Sequence, residues 1–245
     1  DYHRVTAGLA VDNLTHGYGG KPALTSVGFS VEEGDFCALL GPNGAGKSTL
    51  FALLTRLFTP QSGSIEIGGV SLHQEPRAAL AKLGVVFQQP TLDLDLSVHR
   101  NLKYFAALHG LSGREAERRI SAQLDRLGMA ERAAEKARAL NGGHRRRMEI
   151  ARALIHEPKV LLLDEPTVGL DAATRQAITR HVHDLAQDQN ITVLWATHLV
   201  DEIEADDRLV VLHKGEIEAD GRAGNIAGSM SLGDRFLALT GGIDA

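Results

Sequence analysis

No stretch of this 245-residue chain approaches the roughly 20 consecutive apolar residues that a helix needs to cross a bilayer. Its start also lacks the basic-then-apolar pattern of a secretory signal. A helical membrane protein is thereby set aside, and we expect a cytosolic one. There is a single cysteine, Cys37, so no internal disulfide can form; inside the apolar run Phe36 to Leu40 it reads as a small core residue. Aromatic residues are sparse at 4%, whereas 43% hydrophobic and 23% charged residues are ordinary for a globular protein. The formal net charge of −5 offers no global attraction to nucleic acid or anionic lipid, so any membrane association has to come through a protein partner. Internal repeats, heptad runs and low-complexity linkers are absent. The chain starts at Asp1 without a methionine, from which we expect a processed or trimmed start. Its length suits one domain over residues 1–245, with an inserted lobe but no second catalytic domain.

What is present centres on Gly41-Pro42-Asn43-Gly44-Ala45-Gly46-Lys47-Ser48-Thr49, which fits G-x-x-x-x-G-K-[ST]. The apolar run Phe36 to Leu40 enters it, and an amphipathic helix pattern, Leu50, Leu53, Leu54 and Leu57, leaves it. The glycines let the backbone turn tightly with successive N–H groups aimed inward, and the helix beginning near Lys47 adds the positive end of its dipole. Such a cavity suits phosphate. Lys47 would reach the β- and γ-phosphates of a nucleotide, and the Ser48 hydroxyl would take one position on a Mg²⁺ held between them.

Elsewhere in the first third, short alternating runs (Leu9, Val11; Val27, Phe29, Val31; Ile65, Ile67) predict an antiparallel sheet with one buried face. Tyr18, held among Gly17, Gly19 and Gly20, is either a purine-stacking ring or a loop tyrosine. Four runs are short and continuously apolar: Phe36 to Leu40, Val85 to Phe87, Val160 to Leu163 and Ile191 to Trp195. They read as parallel strands covered on both faces, with Ala172 to Gln189 as one covering helix. From about Pro90 to Pro158 helical patterns replace strands: Leu102 to Leu108, the charged Gly113 to Arg138, and Arg145 to Ile155. The fold class is therefore α/β: a P-loop NTPase with a parallel sheet core, an N-terminal antiparallel β subdomain and an inserted α-helical subdomain. The tail adds strands at Leu209 to Leu212 and Glu216 to Glu218, then a short helix around Phe236, Leu237 and Leu239.

Val160-Leu161-Leu162-Leu163 delivers Asp164-Glu165 to the end of a buried strand, where carboxylates are costly unless they serve a metal or a reaction. Asp164 is read as a Mg²⁺ ligand, and Glu165 as the group that orients or deprotonates the water attacking the γ-phosphate. A helix N-cap pair is the competing reading, and it weakens beside a phosphate loop. His198 follows Ile191 to Trp195 to a strand's carboxyl end, which favours a γ-phosphate contact over a purely structural histidine. Gln88 or Gln89 leaves Val85 to Phe87 in the same manner; Gln88, directly after the strand, is preferred for the metal or the attacking water.

In this order, Tyr18, the phosphate loop, Gln88, the helical lobe, Leu140-Asn141-Gly142-Gly143-His144, Asp164-Glu165, Gly169-Leu170-Asp171 and His198 give a chain that resembles the ATP-binding cassette family over essentially its full length. The resemblance implies a subunit that works as a head-to-tail pair, a homodimer. Each ATP lies between one chain's phosphate loop and the other's signature, Asn141, Gly142, Gly143 and His144, with Asp171 also at the nucleotide. Gly142-Gly143 would open a second helix with unbonded N–H groups. The signature departs from the common form, which has serine and glutamine where Asn141 and His144 stand. Asparagine caps a helix as well as serine does, so we expect a signature competent for hydrolysis. Arg145-Arg146-Arg147 is either a solvated basic patch or a surface awaiting phosphate or an acidic partner.

By the same resemblance the chain would be the ATPase subunit of a transporter whose permease subunits are separate. They would bind the groove between sheet core and helical lobe near Gln88 and hold the subunit peripherally on the cytoplasmic face of the inner membrane. Gln89 to Val98 looks like the export branch. The alternative is a single-cassette ATPase acting in cofactor or complex assembly.

Overall fold

The computed structural model describes residues 7–242; the start at Asp1 lies outside them. Two long strands come first, β1 (Ala7–Tyr18) and β2 (Lys21–Glu32), joined through Gly19 and Gly20 at φ 55° and 80°, a turn that glycine adopts without strain. β3 (Phe36–Leu40) leads into α1 (Lys47–Leu54), and β4 (Ser62–Ile67), β5 (Val70–Ser71), α2 (Pro76–Ala81) and β6 (Leu83–Val86) follow. The chain is then helical, with α3 (Val98–Leu108), α4 (Gly113–Arg126) and α5 (Gly142–Leu154). It continues through β7 (Val160–Asp164), α6 (Ala172–Gln189), β8 (Thr192–Thr197), β9 (Arg208–His213), β10 (Glu216–Arg222), α7 (Ala223–Ala227) and α8 (Leu232–Thr240).

The larger sheet has the order β10-β9-β3-β8-β7-β6, and every neighbouring pair in it is parallel except the β10–β9 edge. Its central strands explain the continuous apolar runs, because alternate residues enter two different cores. Phe36, Ala38 and Leu40 of β3, with Leu163 of β7 and Trp195 of β8, pack on the side of Val98, Leu102, Met148 and Ile178 from the helices. Cys37 and Leu39, with Leu162 and Leu194, pack on the other side, against Leu50 and Leu54 of α1 and against Leu9, Val27 and Ile65. Those last three belong to an antiparallel sheet of order β2-β1-β4-β5. With both faces dry, the strands have no position for a polar alternation. The α/β class, the parallel core and the N-terminal antiparallel sheet all stand as expected.

Three expectations are corrected. The helix after the phosphate loop ends at Leu54, and Leu57 is 73% exposed, not part of its buried stripe; Arg56 at φ 57° turns the chain away. The Val85 to Phe87 strand is Leu83–Val86, with Phe87 half-exposed beyond it. The long charged helix Gly113 to Arg138 stops at Arg126, because Gly128 takes φ 64° and two single turns of 3-10 helix follow, Ala130–Arg132 and Ala137–Ala139. A left-handed glycine just past a helix end is a common stop, and composition alone concealed this one.

Candidate active site

The loop Gly41–Gly46 runs from the carboxyl end of β3 to the start of α1, and its glycines are required by space as well as by conformation. A Cβ on Gly41 would stand 2.5 Å from the Leu212 carbonyl oxygen; one on Gly46, at φ 112°, would stand 2.8 Å from Leu24 Cδ2. Gly44 sits at φ 82°. No side chain caps α1, and no acidic residue lies in its first turn. The first N–H groups and the helix dipole are therefore available to an anion.

Lys47, 5% exposed, donates from Nζ to the carbonyls of Gly41 (2.5 Å) and Pro42 (3.2 Å) and faces Glu165 Oε1 at 3.3 Å. Burial pulls its ammonium below the ordinary lysine range, opposed by Glu165 and then Asp164. Glu165, 9% exposed, adopts φ 44°. Its N–H donates to the Ala196 carbonyl at 2.9 Å, so the β7–β8 ladder continues one residue past Asp164 and pins a strained residue at the strand end. His198 Nδ1 lies 3.3 Å from the same Oε1, yet out of line for a hydrogen bond. One carboxylate thus sits between a lysine and a histidine.

Lys47 and Glu165 border a cleft of about 480 Å³, lined also by Pro42 to Gly44, Ser48, Gln88, Asp164 and Lys214; His198 touches Glu165 but is not part of that lining. Burial, reinforced by Glu165, holds the Asp164 carboxyl above its usual range, with Lys47 opposing. Asp164 therefore gains from a nearby cation. Ser48, Gln88 and Asp164 supply only oxygen donors, a set that suits Mg²⁺ bound partly through phosphate and water. Among the described residues no three His, Cys, Asp or Glu side chains group so as to hold a metal ion.

The other expected site residues lie elsewhere. Tyr18 stands outside the cleft lining, 45% exposed, edge-on to His16 and Phe58. Asn141 caps α5, its Oδ1 accepting from the His144 N–H at 2.8 Å; a Cβ on Gly143 would meet Thr174 Cγ2 at 2.6 Å. Asp171 caps α6 through Thr174, accepting its N–H at 2.9 Å and its hydroxyl at 2.6 Å. Asn141, Gly142, Gly143, His144 and Asp171 thus gather around the starts of two helices, and none of them lines the cleft.

Sequence reasoning missed three groups. Lys214, in the β9–β10 turn at φ 48°, reaches the cleft edge, and its only signal was a Lys-Gly turn between two strands. Glu202, 4% exposed, accepts from Trp195 Nε1 (3.0 Å), Thr197 Oγ1 (2.6 Å) and Thr167 Oγ1, tying the segment after Glu165 to the one that carries His198. Nothing in the pattern marked it. The Arg145-Arg146-Arg147 run is neither of the two surfaces expected. Arg145 donates to the Ala137 and Arg138 carbonyls, Arg147 to that of Leu127, and Arg146 is buried against Glu149.

A Gly-rich loop between a parallel strand and an uncapped helix, its lysine facing two strand-end carboxylates, defines a P-loop nucleoside triphosphatase. The subclass is narrower. Residues 24–168 match the family model described as ABC transporter, and the chain belongs to that family; it is an ATP-binding, ATP-hydrolysing subunit of the kind that energises transport. It is 36% identical to the linearmycin resistance ATP-binding protein LnrL of Bacillus subtilis, over 95% of this chain and 74% of that one. It is 39% identical to the Nod factor export ATP-binding protein I of Rhizobium meliloti, over 89% of this chain and 65% of that one. Among solved structures, cbiO1 of Clostridium perfringens, part of the ABC transporter complex cbiONQ, superposes with a TM-score of 0.82 at 29% identity, covering 96% and 95% of the two chains. Among the described residues no helix is long and apolar enough to cross a membrane.

Proposed function

We propose that this chain forms one cassette of a head-to-tail homodimer that binds Mg-ATP in the Lys47 cleft and drives export through separate permease subunits, docked on the cytoplasmic face of the inner membrane. The observation that carries the reading is the division of labour within one chain. The cleft holds the phosphate loop and carboxylates, while the glycine-opened start of α5, with no acidic residue in its first turn, lies outside that lining. A second copy would bring that start, with Asn141, Gly142, Gly143, His144 and Asp171, onto the nucleotide. The names of the resistance and export relatives support the direction.

Lys47 and the α1 N–H groups bind and orient the phosphates. Ser48, Gln88 and Asp164 would hold a Mg²⁺ ion, which would supply charge neutralisation on the phosphates. Glu165, opposite Lys47 at 3.3 Å, holds and accepts a proton of the attacking water. His198 contacts the γ-phosphate beside Glu165, and Tyr18 stacks on the purine once its ring turns from Phe58.

Turnover per chain in a purified sample should rise with protein concentration, and crosslinking should trap a dimer with Mg-ATP and not with Mg-ADP. Turnover independent of concentration, with copies that never approach one another, would overturn the dimer. Recovery from detergent-solubilised membranes solely with soluble scaffold proteins would overturn the transport role.

A further inference from the structure

The segment from Phe87 to Thr91, which carries Gln88, is held by one helix through three charged side chains. From α5, Arg146 donates to the carbonyls of Phe87 (2.7 Å, Nη1) and Gln88 (2.9 Å, Nη2), and its Nη1 also meets Glu149 Oε2 at 2.9 Å. Glu149 Oε1 accepts the Thr91 N–H at 3.1 Å. Arg152 donates to the Thr91 carbonyl (3.0 Å) and hydroxyl (2.6 Å). Arg146 is 6% exposed and Glu149 1%. Burial works against both charges, pushing the Glu149 carboxyl up and the Arg146 guanidinium down, each partly offset by the other.

A buried ion pair adds little net stability, because desolvation offsets the attraction. What this one does is fix backbone. A planar guanidinium with several donors spans two successive carbonyls and a carboxylate at once, which a point charge cannot do. Phe87 is half-exposed and β6 has already ended, so the sheet ladder no longer determines where Gln88 points. The Gly142–Leu154 helix decides it instead.

We infer that Arg146, Glu149 and Arg152 are positioning residues for Gln88, making Phe87–Thr91 move as one body with α5. The inference rests on the role proposed above for Gln88.

The test is a mutant cycle on the full-length protein, read by steady-state ATP hydrolysis at saturating Mg²⁺. Arg146→Lys keeps the charge but loses the fork. It should lower kcat by about 10- to 100-fold, the scale of a small misplacement of a reacting group, and leave the KM for ATP unchanged. Gln88→Ala should lower kcat as well, and adding Arg146→Lys to it should change nothing further. If Arg146→Lys fails to fold, judged by its melting curve, the isosteric Glu149→Gln replaces it in the same cycle. Multiplicative effects of the two sites overturn the positioning role, as does wild-type kcat in both Arg146→Lys and Glu149→Gln while Gln88→Ala is slow. A Gln88→Ala protein at the wild-type rate overturns the reading of Gln88 itself, and the clamp with it.

Discussion

Glu165→Gln is expected to tighten nucleotide binding while stopping turnover. In the structure the Lys47 ammonium faces the Glu165 carboxylate at 3.3 Å with both groups buried, so a phosphate that recruits Lys47 has to compete with Glu165 for it. At 3.3 Å and an effective dielectric constant near 20, the Coulomb attraction is roughly 5 kcal/mol before desolvation. Phosphate oxygens replace most of that attraction, and the carbonyls of Gly41 and Pro42 hold Lys47 equally in either variant. The surplus left for binding is then about 1–2 kcal/mol, or about 5- to 30-fold in Kd. Calorimetric titration with a slowly hydrolysed ATP analogue, at fixed salt, measures it; phosphate release in parallel should fall by about 10²- to 10⁴-fold, the usual contribution of a general base. An analogue affinity equal to or weaker than wild type, in a variant with a wild-type melting curve, refutes the competition. Near-normal hydrolysis removes Glu165 from the reaction.

Other expectations concern caps, histidine and thiol. Asn141→Ala and Asp171→Ala should each lower stability in urea by about 1 kcal/mol, since each removes a helix N-cap, while Asn141→Ser should restore most of the loss; an unchanged midpoint in either alanine variant contradicts the capping role. Burial, then the neighbouring His109 ring, pushes His156 down to about 4. The unfolded chain therefore takes up the proton first, and the contribution of His156, complete above a pH of about 6.5, is lost as pH falls toward 4. Melting temperature against pH should be flatter over that window in His156→Gln, and an identical slope refutes the assignment. Burial raises the Cys37 thiol far above its ordinary range, so an aqueous thiol reagent should modify it only after denaturant is added; fast labelling of the native protein contradicts its core position.

Much of the site could be read in the sequence because its chemistry is local. The phosphate loop is nine consecutive residues, and Asp164, Glu165, Gln88 and His198 each announce themselves by following an apolar strand. The helical segment was harder. Arg146 looked like one member of a basic run, and only the return of Phe87–Thr91 to α5 made it a buried clamp. Glu202 gave no signal because its three donors come from residues 5, 7 and 35 positions away. The end of the charged helix at Arg126 turned on the conformation of Gly128, which alanine-rich composition does not register.

The amino-acid sequence by itself determined the class of the fold and the identity of the phosphate-binding loop. Strand burial on two faces writes itself as an unbroken apolar run, and a cradle of backbone N–H groups demands glycine at set spacings. Tertiary structure alone decided that Lys47 meets Glu165, that the signature lies apart from the cleft within one chain, and that Gln88 hangs from α5. The reason is physical: a charge pair or a carbonyl clamp depends on which distant segments pack together, and no residue carries a local mark of the partner that folding will bring to it.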